Sequence, residues 1–255
     1  MSVPAITLSA PLGPAGAPLV VLGASLGTSS ILWEDVVPVL AARYRVLSWD
    51  LPGHGASPVA TAPFTVADLA DAVAAAVDEP AFAYAGVSLG GAVGLELALR
   101  HPARLSCAVI IASGARLGEP AAWNERAAQV RAQSTSSLIT ASASRWFAPG
   151  SIERRPELSG RLLHALQDAD DESYARCCEA LAQHDVRARL AEIAVPTLAV
   201  WGEYDTVSPE PLAAEIAERV QHGRTLRIAD AGHLPPAEQP EATAAALLEY
   251  VEEAR

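Results

Sequence analysis

Short apolar runs alternating with helix-spaced segments, a strandless helical block in mid-chain, and a return of the alternation near the end predict an α/β protein. The sheet is mostly parallel and flanked by helices on both faces, as strand–helix alternation with apolar strands implies. A helical cap is inserted before the penultimate strand. The expected organisation is a first core part over 1–118, the cap over 119–190 and a second core part over 191–255.

Leu19–Gly23 (LVVLG) is an apolar run closed by glycine and reads as a buried strand. Ile31–Ala42 has helical spacing. Arg45–Trp49 (RVLSW) is a second strand ending at Asp50, and Val66–Val77 is an Ala-rich helix with one apolar face. Ala81–Val87 forms the third strand and Gly90–Arg100 the helix after it, stopped by His101-Pro102. Ala108–Ala112 is the fourth strand. From Glu119 to Leu190 the segments ERAAQVRAQ, SRWFAPG, RLLHALQ and YARCCEALAQ are helix-like. Strands resume at Pro196–Trp201 and Arg224–Ile228, followed by helices over Pro211–Val220 and Glu241–Glu253. A helical block inside such a frame is expected over the carboxyl edge of the sheet, where open α/β sheets bind ligands.

Composition narrows the function. With 51% hydrophobic and 19% charged residues among 255, the chain can build a core, which excludes a disordered or fibrous protein. The formal net charge of −12 repels phosphate backbones and anionic lipid, so neither a nucleic acid nor a membrane is an expected partner. The same field opposes an anionic substrate unless local arginines reverse it. Every basic residue is arginine. Cys107, Cys177 and Cys178 form no disulfide framework or metal motif and read as buried small residues. No basic residue precedes Arg43, so no signal-peptide n-region is seen, and a soluble cytoplasmic protein is expected, monomeric or a small homo-oligomer.

Gly86-Val87-Ser88-Leu89-Gly90 lies directly between a strand and a helix, the context G-x-S-x-G requires. A turn that reverses within a residue or two leaves room only for small side chains two places either side of the serine, and both are glycine. It would expose the Ser88 hydroxyl at a helix N-terminus, where developing negative charge is favoured. A serine needs a base, and the base an orienting acid. Among six histidines, His233 alone follows a late strand on the expected rim. Asp205 heads the loop after PTLAVW, whereas Glu203 comes two residues early and Asp230 sits close enough to His233 to cap its own loop. Two backbone N–H groups are needed for an oxyanion: Leu89, just after the serine, and Leu26 in the loop Gly23–Gly27. Asp50–Ser57 reads as a tight structural turn, and His54, His101, His164, His184 and His222 as structural or solvated. No metal constellation, dinucleotide fingerprint or phosphate loop occurs, so neither metal nor cofactor is expected.

These residues resemble the α/β-hydrolase superfamily over the whole chain and, within it, the 3-oxoadipate enol-lactonases of aromatic-ring catabolism. The likeness lies in Ala24-Ser25-Leu26-Gly27-Thr28, Trp33-Glu34, Trp49–Gly55 and AGVSLGG over Ala85–Gly91. It continues in Arg145-Trp146-Phe147 with Pro149, Tyr174-Ala175, His184–Arg187, and His233-Leu234 with Glu238-Gln239-Pro240. Ala148 and Pro235-Pro236 depart from the pattern. The resemblance implies a serine hydrolase opening a small enol-lactone that carries a carboxymethyl group, with Ser88, His233 and Asp205 as triad and 3-oxoadipate as product. Substrate contacts are expected from Ser25, Trp146 and Arg145 as carboxylate anchor, with Arg187 as second cation. Some related lactonases continue into a decarboxylase; this chain ends at Arg255, just past the last expected helix, and no fused domain is expected. Open alternatives are a general carboxylesterase or cofactor-free perhydrolase, and a ligand-sensing protein of the same fold.

Overall fold

A computed structural model describes residues 3–254. In chain order its elements are β1 Thr7–Leu8, β2 Leu19–Gly23, α1 Val37–Leu40, β3 Arg45–Asp50, α2 Val66–Ala76, β4 Phe82–Val87, α3 Leu89–Arg100 and β5 Leu105–Ile111. Five helices follow without a strand: α4 Pro120–Gln133, α5 Ile139–Trp146, α6 Ser151–Arg154, α7 Pro156–Asp168 and α8 Asp171–Gln183. Then come β6 Thr197–Gly202, α9 Glu210–Arg219, β7 Gly223–Ile228, α10 Pro235–Glu238 and α11 Pro240–Glu253.

The seven strands lie in the order β1-β3-β2-β4-β5-β6-β7, all parallel except β1, which runs antiparallel to β3. Strands β2 and β4 are buried at every residue, as a sheet covered on both faces requires. After β2 the chain builds outward to β3, and from β4 it builds toward the opposite edge. The sheet therefore has its switch point between β2 and β4, where Gly23 pairs with Gly86, and a crevice opens beyond their carboxyl ends. Ser88 stands one residue past β4 at that opening.

Two elements differ from expectation. Ile31–Ala42 is not one helix but a 3₁₀ turn over Ser30–Trp33 followed by α1. Pro38 cannot donate to the Glu34 carbonyl, and its ring crowds that carbonyl, so a continuous helix cannot pass. The edge strand β1 is only two residues long and carries no periodicity to read. Elsewhere local signals operate as expected: Thr65 caps α2, accepting from the Asp68 N–H while the Asp68 carboxylate accepts from the Thr65 N–H. The three cysteines are buried and unbridged. Among the described residues no helix is long and apolar enough to cross a membrane, and no cluster of His, Cys, Asp or Glu could hold a metal.

Candidate active site

Ser88 occupies the left-handed region at φ 56°, ψ −114°, a conformation that costs a non-glycine residue about 1–3 kcal/mol. The surroundings enforce it. The Ser88 N–H donates to the Ile111 carbonyl at 2.9 Å, and the Ser88 carbonyl accepts from the Ser113 hydroxyl at 2.7 Å and from the Ala92 N–H at 2.9 Å. A Cβ on Gly86 would lie 2.2 Å from the Gly90 carbonyl oxygen, and one on Gly90 2.8 Å from the Ala24 oxygen. Only glycines allow the turn, as its spacing in the sequence implies. The Ser88 hydroxyl makes no hydrogen bond among the described residues and opens into a cavity it shares with His233.

Asp205 and His233 are brought together from loops 28 residues apart. His233 Nδ1 donates to Asp205 Oδ2 at 3.0 Å. A carboxylate can only accept, so this bond assigns the ring proton to Nδ1 and leaves Nε2 with its lone pair. The Ser208 hydroxyl donates to the same Oδ2 at 2.6 Å, while the N–H groups of Val207 and Ser208 donate to Oδ1. Burial alone would raise the Asp205 carboxyl. The charge that His233 carries when protonated and the bonds from His233 and Ser208 outweigh it and hold the carboxyl at about 2, against an ordinary 3.8. The folded value lies below the unfolded one, so the stabilisation is complete above about pH 4 and is lost as pH falls toward 2. It amounts to about 2 kcal/mol. The expected result in urea unfolding is that the wild-type advantage over Asp205→Asn shrinks by that amount between pH 5 and pH 2. An advantage constant across that range would show that the carboxyl is not depressed.

The rival acids are engaged elsewhere. Glu203 pairs with Arg227 and accepts from the Asp230 N–H, and Asp230 is exposed. His101 pairs with Asp71, His164 is exposed beside the Gly160 carbonyl, and His184 faces Glu96.

The cavity has a narrow inner part of about 20 Å³ beside Ser88 and His233, lined also by Ser25, Leu26, Trp146 and Tyr174. A wider part of about 210 Å³ extends past Leu117 and Thr206. Ser88, Trp123, Arg126, Arg145 and Val207 line both parts. Ser25, Trp146 and Arg145 thus line the cavity. Arg187 does not: it lines neither part and is held by Asp185 through Nε at 2.9 Å and Nη2 at 2.6 Å. An oppositely charged side chain two residues away captured it.

A second arginine that does line the cavity is Arg126 on α4, within the segment ERAAQVRAQ, whose sequence gives a helix but not which side chain turns inward. Its guanidinium lies 5.0 Å from the centre of the Trp123 ring and beside the Tyr174 hydroxyl. Burial and the neighbouring Arg126 charge hold the Arg145 guanidinium below its usual value. Among the described residues neither Arg126 nor Arg145 meets a carboxylate, although thirteen other arginines do.

Two backbone N–H groups near Ser88 are unpartnered among the described residues. They are those of Leu89, which opens α3, and of Leu26. Leu26 lines the inner cavity.

The strained serine turn, the Asp205–His233 bond and the parallel sheet define an α/β hydrolase. Residues 17–240 match the family model of the alpha/beta hydrolase fold, and the chain belongs to that family. It is similar to 3-oxoadipate enol-lactonase 2 of Acinetobacter baylyi, with 36% identity over 91% of this chain and 88% of that one. The enol-lactonase of Burkholderia xenovorans LB400 superposes with a TM-score of 0.92 at 28% identity, covering 97% of this chain and 96% of that one. A pimeloyl-[acyl-carrier protein] methyl ester esterase of Neisseria meningitidis is 33% identical over 89% of this chain and 74% of that one. By family and relatives the chain is an enzyme of the carboxylic-ester hydrolase class.

Proposed function

We propose that the protein opens a small enol-lactone bearing a free carboxylate, 3-oxoadipate enol-lactone or a close analogue, through a Ser88–His233–Asp205 triad. The observation that carries the substrate class is the pair Arg126 and Arg145, two cations without carboxylate partners among the described residues, lining the Ser88 cavity of a chain whose net charge is −12. A carboxylate on the substrate supplies the missing partner and relieves the repulsion between them.

In this reading Ser88 Oγ attacks the lactone carbonyl as its proton passes to His233 Nε2, and Asp205 stabilises the resulting imidazolium. The N–H groups of Leu26 and Leu89 receive the oxyanion. Collapse breaks the ring C–O bond and expels an enolate, which becomes a ketone by taking up at carbon the proton that His233 gives back, so that His233 is again neutral. An enolate leaves more readily than an alkoxide, so protonation by His233 contributes less than in a simple esterase. Water then gives a proton to His233 and attacks the acyl-enzyme, and release of Ser88 yields the dicarboxylate. A small soluble substrate of this kind suits a cytoplasmic enzyme.

The test compares disappearance of the enol-lactone's ultraviolet absorbance with turnover of p-nitrophenyl acetate. Brisk lactone hydrolysis is expected; esterase activity with poor lactone activity would replace this reading by a general carboxylesterase. Arg126→Leu and Arg145→Leu are each expected to lower kcat/KM for the lactone by roughly 10- to 100-fold, the scale of one charge-assisted hydrogen bond of about 1.5–3 kcal/mol. Turnover of the uncharged ester should change little. Equal losses on both substrates would remove the arginines from carboxylate recognition.

A further inference from the structure

We infer that His54 is a positioning residue that orients the oxyanion-binding peptide, as a neutral imidazole whose tautomer is set by its two partners. The inference rests on the proposed role of the Leu26 N–H but not on which ester is cleaved.

His54 is buried in the turn Asp50–Ser57. Its Nδ1 lies 2.9 Å from the Pro52 carbonyl, which can only accept. Its Nε2 lies 3.2 Å from the Gly27 N–H, which can only donate. These two bonds require a proton on Nδ1 and a lone pair on Nε2. An imidazolium would set N–H against N–H. Burial acts in the same direction, lowering the tendency of His54 to take a second proton against the pull of Pro52, Asp50 and Asp170.

The consequence falls on two successive peptide units. In the first, Ser25 C=O to Leu26 N–H, the carbonyl accepts from the Thr28 N–H at 3.0 Å and from Thr28 Oγ1 at 2.8 Å. A trans peptide is planar, so holding the carbonyl from one side directs the Leu26 N–H to the other. The second unit, Leu26 C=O to Gly27 N–H, is held at its N–H by His54. Gly27 has φ +81°, and a Cβ there would lie 2.7 Å from Leu166 Cδ1, so the bend between these units needs glycine and its tertiary partners. Without His54 the Gly27 N–H loses its acceptor, and the second plane is free to rotate and carry the Leu26 N–H with it.

The turn that carries His54 is itself anchored. Asp50 accepts from the Ser30 N–H at 2.6 Å and from the Ala56 N–H at 2.8 Å, and the Gly53 carbonyl accepts from the Asp170 N–H at 2.9 Å. The His54 ring stacks on Tyr174 of α8, centroids 6.0 Å apart at 25°. Tyr174 also lines the cavity, so the imidazole ties the Leu26 loop to the helical block above it.

The test uses the full chain with p-nitrophenyl acetate and a boronic acid, whose tetrahedral adduct on Ser88 places an oxygen where the oxyanion forms. His54→Leu is expected to lower kcat by roughly 10- to 100-fold, within the range of one lost oxyanion donor. KM should stay within about threefold, and boronic-acid affinity should fall in parallel with kcat. His54→Gln, which can offer an oxygen near the Nε2 position, should recover most of both. Thr28→Val, which removes only the hydroxyl bond to Ser25, should shift kcat and boronic-acid affinity the same way more weakly, and it keeps the test decisive if His54→Leu does not fold. Unchanged kcat in folded His54→Leu, or unchanged boronic-acid affinity in Thr28→Val, would overturn the proposal. A wild-type chain that binds no boronic acid and cleaves neither ester overturns the Ser88 reading and this one together. One that cleaves p-nitrophenyl acetate but not the lactone overturns the lactone assignment alone.

Discussion

Ser88→Ala is expected to lower kcat on the lactone by at least about a thousandfold while leaving thermal unfolding unchanged. The fall corresponds to about 4 kcal/mol of transition-state stabilisation, and it leaves only the residual rate that oxyanion donors and binding supply when a triad is broken. The structure explains why stability should not follow. Every hydrogen bond that holds the strained turn uses the Ser88 backbone, its N–H to Ile111 and its carbonyl to Ser113 and Ala92, while the hydroxyl has no partner among the described residues. Alanine tolerates the φ of 56° no better and no worse than serine. Full-length kinetics paired with calorimetry therefore separate two roles. Retention of more than about a thousandth of the rate would remove Ser88 as nucleophile. A large drop in Tm would mean that the hydroxyl serves the fold.

What could be read in the sequence follows how local each feature is. The serine turn is a contest between neighbours four residues apart, so Gly86 and Gly90 announce it without tertiary information. Asp205 follows the plain hydrophobic run of β6, His233 follows the largely exposed edge strand β7, and their meeting follows from parallel topology. Arg126 and Arg187 show the opposite case. Both are arginines in polar stretches, and what separates them is whether a carboxylate pairs with them: Asp185 with Arg187, none among the described residues with Arg126. Helix α4 is polar around its circumference, and nothing in its spacing says that the Arg126 face turns toward Ser88. His54 was legible only as part of a tight turn, because its working partner, Gly27, lies 27 residues earlier. The short edge strand β1 and the break at Pro38 mark the same boundary, one too brief for periodicity and the other a steric veto inside a helical pattern.

Glu238→Ala is the substitution expected to cost most in stability, and activity should fall with it. This buried carboxylate joins the His233 loop to the segment that follows α5. Oε1 accepts from the Gly232 N–H at 2.8 Å and the Leu234 N–H at 3.1 Å, on either side of His233, and Oε2 accepts from the Ala148 N–H at 2.6 Å. The His233 N–H closes the connection by donating to the Trp146 carbonyl at 2.9 Å. Burial pushes the Glu238 carboxyl above its ordinary value, and the N–H groups of Ala148, Leu234 and Gly232 with the Ser151 hydroxyl hold part of that rise back. Removing the side chain leaves three buried N–H groups without acceptors, at about 1–3 kcal/mol each. Relief of the desolvated carboxylate returns some of this, so a net loss on the order of 4 kcal/mol is expected, a large fraction of a typical domain's stability. Glu238→Gln separates the contributions: its carbonyl can keep the Gly232 and Leu234 bonds, while its NH₂ group faces the Ala148 N–H. Urea unfolding should rank wild type above Gln and Gln above Ala. In the Gln variant kcat should survive better than lactone KM, because the bonds flanking His233 remain while the segment carrying Arg145 and Trp146 loses its tether. If Gln and Ala are equally destabilised, the bonds at Oε1 carry no weight and the His233 loop is held by other contacts.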